Sequence, residues 1–200
     1  MGIDSPIPNF VGVSNFKEVQ ERFLDAAQSI MVDYEIVRSE NRWRITALEL
    51  YLFTEASNVW RDPNTHRNPE QANSGTWYVH SRPMNRSGLD ITAGDITQGV
   101  YAGLLIREVD QIDGPAKALK TLIREKFTRT GSAFNDPYNW SEKERALIAN
   151  IHGRSIWDGP LKLSRSSERV CRDVWIGPRL NLADQSSPWD SPLRAAIGGR

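Results

Sequence analysis

From Phe16 onward the apolar positions Phe16, Val19, Phe23, Leu24, Ala27 and Ile30 recur at three- and four-residue steps, which predicts a helix with one apolar face, capped by Ser14. Residues 31–38 and 42–53 are rich in β-branched and aromatic types and predict two strands, joined by a hairpin or loop at Ser39-Glu40-Asn41. A polar stretch from Thr54 to Ser74 follows, long enough for a compact domain to be a functional or mobile loop. Gly75–His80 predicts a short strand, residues 81–90 a turn rich in Arg and Pro, and Gly99–Val109 a long apolar strand stopped by Gly114-Pro115. A helix is expected from about Pro115 to Phe127, and a shorter one over Glu142–Asn150 behind the cap Ser141. Leu161, Leu163, Val174-Trp175-Ile176 and Leu180-Leu182 then look like short strands closing a sheet.

Strands interrupted by helices without regular alternation predict an α+β fold: a curved, mostly antiparallel sheet with helices outside it. The length, 200 residues, suits a single domain, read as an extended N-terminal arm over 1–13 and a body over 14–192. The seven Trp are expected mostly in the core. With 25 Lys and Arg against 25 Asp and Glu, no global field pulls the chain onto a polyanion, so any nucleic-acid contact must be local. No apolar run approaches the ~20 residues of a membrane helix. The lone Cys171 permits no internal disulfide and the start Met-Gly-Ile-Asp-Ser is unlike a signal peptide, so a reducing cytoplasm is expected. Nothing points to an obligate protein partner, and a monomer is the expectation.

Glu49 stands among Leu48, Leu50 and Leu52, and strand alternation places it on one face with Tyr51 while the leucines take the other. A carboxylate there is costly unless it is paired or faces a cavity. It is either a structural ion pair, with Arg44 or Arg107 as partner, or a general base beside an aromatic plate. The same spacing places Tyr78 and His80 on one face of another strand, where they are ordinary packing or a clamp for a flat ligand. His66, after Asp62-Pro63, is a surface loop residue or a hydrogen-bonding group for a ligand. Three scattered His and one Cys argue against a metal site, and no phosphate loop or nucleophile elbow is present.

In order, Arg44-Ile45-Thr46-Ala47-Leu48-Glu49-Leu50-Tyr51-Leu52, Asp62-Pro63-Asn64-Thr65-His66, Gly75-Thr76-Trp77-Tyr78-Val79, Leu104-Leu105-Ile106-Arg107 and Gly114-Pro115-Ala116-Lys117 resemble the alkyladenine (3-methylpurine) DNA glycosylase family. Gly177-Pro178-Arg179-Leu180-Asn181-Leu182 and Ser187-Pro188-Trp189 are similar to its closing strands, so short patches run colinearly over roughly residues 20–192. The resemblance implies a domain that binds a purine flipped out of DNA and hydrolyses its N-glycosidic bond without metal or cofactor. It gives Glu49 the role of activating water and Arg107 that of holding the site and its water. Tyr51 would stack on the base, His66 would lie against it, and His80 would be the opposite plate in the strand that carries Tyr78.

Two departures bear on substrate. The family's aromatic wedge is replaced by a turn holding Arg82, Met84 and Arg86, in which an apolar Met between two phosphate-binding Arg offers a substitute wedge or a plain solvated hairpin. The family's purine-screening Asn falls near Asp90, which turns a hydrogen-bond donor into an acceptor. Three readings stay open: a DNA glycosylase, a module that binds a nucleotide or modified base without cleaving it, and a hydrolase of a small nucleoside.

Overall fold

Asn15, rather than Ser14, caps the first helix, α1 (Phe16–Asp33), its side chain accepting from the Glu18 N–H. The Ser14 N–H and hydroxyl instead donate to the Glu18 carboxylate, so two neighbours share the two halves of a reciprocal cap. The computed structural model describes residues 5–56, 60–81, 87–124, 140–168, 173–180 and 192–197. In the arm before α1, Phe10 is buried and Arg22 donates to the Asn9 and Val11 carbonyls.

The predicted strand over 31–38 begins only at Tyr34. Met31 and Val32 have strand-like chemistry, but they are buried on α1 and complete its apolar face, so packing overrides propensity. β1 (Tyr34–Arg38) turns back through Ser39, whose φ of 53° is left-handed, into β2 (Asn41–Trp43). The expected second strand therefore breaks at Arg44. Beyond it, β3 (Ile45–Thr54) enters a different sheet.

The large sheet adds β4 (Trp77–Ser81), β5 (Ser87–Thr92), β6 (Val100–Val109), β7 (Ile112–Asp113), β9 (Val174–Pro178) and β10 (Pro192–Ile197). Its order is β4-β5-β6-β3-β10-β9 with β7 on β6, and every pairing is antiparallel. The small sheet is β2-β1-β8, so β8 (Lys162–Arg165), the strand expected around Leu161 and Leu163, pairs with β1. The architecture is α+β, with three α-helices among the described residues.

Two strands depart from the sequence reading. β5 takes up the last four residues of the predicted turn over 81–90: Gly88, Asp90 and Thr92 alternate with Leu89 and Ile91, and all of β5 is buried. β10 holds Pro, Arg and Ala, poor strand formers, yet lies inside the sheet between β3 and β9 and carries the body past residue 192. Helix α2 (Pro115–Ile123) stops short of Phe127 because Arg124 is already extended. Helix α3 (Glu142–Ile151) starts behind the expected Ser141, with a capping box closed by Glu144.

One face of the large sheet is the core. Leu48, Leu50 and Leu52 of β3, Leu104 and Ile106 of β6, Ile91 of β5 and Trp77 of β4 are fully buried. α1 packs on β3 and β10, with Val19, Phe23, Ala27 and Ile30 inaccessible to solvent. Each buried Val, Leu, Ile or Phe among them is worth about 1.5–3 kcal/mol relative to exposure. The tryptophans are less central than expected. Among those described only Trp60 and Trp77 are buried, while Trp157 and Trp175 keep 42% and 40% of their surface.

Candidate functional site

Directly paired residues in an antiparallel sheet project from the same face. The register makes one such row: Tyr78 of β4 faces Asp90 of β5, Asp90 faces Leu105 of β6, Leu105 faces Glu49 of β3, and Glu49 faces Arg194 of β10. One step along, Tyr51 faces Gly103, which faces Thr92. The face opposite the leucine core is thus lined with ionisable and aromatic groups.

Glu49 is wholly buried at its centre. Its Oε1 accepts the Leu180 N–H at 3.0 Å and lies 3.7 Å from Arg107 Nε and 3.9 Å from Arg194 Nε. Its Oε2 accepts the Tyr51 hydroxyl at 3.1 Å. Arg44 is not a partner of Glu49; it pairs with Glu35 at 3.1 Å. Burial, then the charge of Glu49, push the Tyr51 phenol far above its ordinary 10.0; Arg179 opposes and Asp90 adds to the shift. Tyr51 is therefore a hydrogen-bond donor throughout the physiological range.

β10 pairs with β3 only over Ala47–Glu49. Beyond that the outer edge of β3 is met by the following loop: Asp62 N–H donates to the Leu52 carbonyl, Thr54 N–H to the Trp60 carbonyl, and Phe53 bridges Arg61. Arg179, just after β9, donates to the Leu50 carbonyl at 3.1 Å and to Asp62 Oδ2 at 2.5 Å, and its guanidinium lies 4.7 Å from the Tyr51 ring centre. Buried charges survive only when paired and hydrogen-bonded, and here Glu49, Asp62 and Asp90 stand with Arg107, Arg179 and Arg194.

The other end of the row is a cluster of rings. His80 Nε2 lies 2.7 Å from Asp90 Oδ1, and Gln71 Nε2 donates to Asp90 Oδ2 at 3.3 Å. His66 arrives from the loop edge-on, its ring 4.8 Å from His80 and 6.5 Å from Tyr78. Tyr78 is 4.7 Å from His80 and 5.4 Å from His152, and the Asn68 amide donates to its hydroxyl. His152 is fixed by the Val79 N–H donating to its Nδ1 at 3.1 Å. All three His of the chain thus surround one Tyr.

No protein-family model matches the chain. It is similar to uncharacterized protein L759 of Acanthamoeba polyphaga mimivirus, with 27% identity over 208 residues, 89% of this chain and 87% of that protein.

The structure brings Glu49, Tyr51 and Arg107 together, and gathers His66, Tyr78, His80 and Asp90 beside them. Arg82, Met84 and Arg86 lie outside the described residues. Sequence reasoning missed the roles of Arg194, Arg179, Asp62, Gln71 and His152. Arg194 carried the same signal as Glu49, a charge inside Leu193-Arg194-Ala195-Ala196-Ile197; Asp62 and Arg179 stood in quoted patches without a role. Among the described residues no His, Cys, Asp or Glu cluster could hold a metal, and no helix is long and apolar enough to cross a membrane.

Proposed function

We propose that this face is a purine pocket in which an N-glycosidic bond is hydrolysed, as in the alkyladenine DNA glycosylases that the sequence resembles. The observation that carries the reading is the shared face: sheet register, independent of any motif, puts Glu49 and Tyr51 on one face of the sheet with Tyr78, His80 and Asp90. Alkylated purine in DNA is the substrate the resemblance favours, and the alkyladenine glycosylase fold is the architecture it implies.

A base inside a duplex is inaccessible, so it must be rotated out and held on aromatic faces, each stack being worth about 1–3 kcal/mol. Tyr51 serves as one plate, and the His80 and His66 rings, packed beside Tyr78, serve as the other. The Asp90 carboxylate accepts from an N–H edge and favours a purine made cationic by alkylation. Glu49 Oε2, engaged only by Tyr51 O–H among its described contacts, orients a water on the sugar C1′. The water oxygen bonds to C1′ as the C1′–N9 bond breaks, Glu49 takes the water proton, and the cationic alkylpurine keeps the bonding pair and leaves as a neutral base. Arg107 and Arg194 fix the carboxylate. The carboxylate held this way orients water and stabilises an oxocarbenium-like sugar.

The burial of Glu49 and the engagement of both its oxygens favour a second reading, a module that binds the base without cleaving it. Incubation with duplexes carrying alkylated or deaminated purines separates the two. Release of free base by the parent chain, lost in Glu49→Gln, supports hydrolysis. Tight binding without release supports the module, and neither binding nor release refutes the pocket.

A further inference from the structure

The sheet face does not end at Tyr51. One pair further along β3 and β6, Phe53 faces Tyr101, their rings 6.2 Å apart at 67°. Over them opens a cleft of about 530 Å³ lined by Phe53, Glu55, Arg61, His66, Arg67 and Tyr101. Its volume lies within the range of small-molecule sites. His66 is a wall of this cleft and also packs on His80, so cleft and purine pocket share a partition.

The cationic side is built into the backbone. Arg61 is held on β3 by its bridge to Phe53. Arg67 has a φ of 53°, a left-handed conformation uncommon for a residue with a side chain, and its guanidinium lies 4.9 Å from the Phe53 ring centre. Such strain persists only where surrounding structure enforces it, and it gathers at ligand clamps. Glu55 accepts the Tyr101 hydroxyl at 3.3 Å, and burial followed by the Glu55 charge raises the Tyr101 phenol above 10.0. Two guanidiniums against one carboxylate leave a positive excess. Neither Arg61 nor Arg67 forms an ion pair among the described residues.

We infer that this cleft holds the phosphate of the nucleotide whose base occupies the Tyr51 pocket, with Arg61 and Arg67 as the phosphate donors and Glu55 as an opposing charge. Guanidinium suits phosphate because its fixed N–H fork donates two charge-assisted hydrogen bonds. The inference rests on the purine-pocket reading only for what lies next door. The shared chemistry is a phosphate ester, supplied by a free nucleotide or by a DNA backbone.

The test measures affinities of deoxyadenosine, its 5′-monophosphate, its 3′-monophosphate, inorganic phosphate and a single-stranded oligonucleotide with one central adenine. Parent, Arg61→Gln, Arg67→Gln and Glu55→Gln chains are compared. The parent should bind one of the monophosphates about tenfold or more tightly than the nucleoside. That ratio should fall toward unity in both Arg variants and rise in Glu55→Gln. The opposite sign in Glu55→Gln separates a charge effect from structural damage. A larger Arg-dependent preference for the oligonucleotide than for the free monophosphates would assign the phosphate to a DNA backbone; the reverse would assign it to a free nucleotide. Inorganic phosphate that binds and loses affinity in both Arg variants, with no nucleoside binding, would uphold the cleft and refute the purine pocket. Equal affinity for nucleoside and both monophosphates, or a ratio indifferent to both Arg variants, would overturn the inference.

Discussion

Gly103→Ala tests whether the two halves of the site depend on one close approach. Gly103 faces Tyr51 across β3 and β6, and a Cβ there would lie 2.5 Å from Asp90 Oδ2 and 3.2 Å from Gln71 Nε2. Asp90 has nowhere to retreat, since it is buried in β5 and its other oxygen holds His80 at 2.7 Å. Overpacking of this kind costs about 1–3 kcal/mol. Displacing Asp90 adds the loss of hydrogen bonds to a charged group, about 1.5–3 kcal/mol, against which the lower chain entropy of Ala returns about 0.5–1 kcal/mol. The net loss of about 1.5–5.5 kcal/mol corresponds to a fall in Tm of about 3–22 °C for a chain of this size. Calorimetry should show that fall, and imidazole NMR should show the His80 Nε2 signal displaced while His152, tied to β4 by Val79, keeps its own. A Tm within about 1 °C of the parent and an unmoved His80 signal would refute the placement of Asp90 over Gly103.

Glu49→Gln leaves Arg107 and Arg194 facing a neutral amide; removing one member of a buried ion cluster costs about 3–5 kcal/mol, which chemical denaturation should register as a lower midpoint at unchanged slope. Tyr51→Ala should weaken binding of a purine nucleoside by about 1–3 kcal/mol, and equal affinity in parent and variant would place the stacking surface elsewhere. Because the folded Tyr51 phenol is raised, its stabilising contribution is complete below 10.0 and is lost as pH rises above that value; the phenolate absorbance of folded parent and Tyr51→Phe should coincide through pH 10. At Glu144, burial acts upward, but the Ser141 N–H and Arg124 outweigh it and hold the carboxyl below its ordinary 4.5, so its stabilisation is present above that pH and fades as pH falls below it. Ser141→Ala should remove about 1 kcal/mol of stability by losing the cap, measurable in the same denaturation assay.

Period and punctuation were legible wherever one interaction dominates. Ser141 with Glu144 announces α3, Gly114-Pro115 announces α2, and alternation in β3 separates Glu49 and Tyr51 from the leucines. Reading failed where distant partners decide the outcome. Met31 and Val32 join α1 because of what they pack against, and β10 is a strand because β3 and β9 offer it two edges. The same distinction divides the site. Glu49 stands out as a charge among leucines, while Arg179 is unremarkable in sequence and acquires meaning only by reaching Leu50, Asp62 and Tyr51 across the fold.

That reach has a kinetic side. The Arg179–Asp62 and Leu180–Glu49 contacts join residues 117 and 131 positions apart, and Arg194 meets Glu49 from further still. Contacts of such long separation require large loops to close first and make folding slow. The carboxylate at the middle of β3 can therefore gain its full set of partners only once the strands on both sides of it have docked. A folding intermediate that has formed the β4-β5-β6 meander carries Tyr78, His80 and Asp90 but lacks the Arg194 and Leu180 contacts that orient Glu49. Any hydrolytic power of this face would emerge with the final closure of the sheet, so the rate at which base release appears during refolding would follow the slowest phase of the fold.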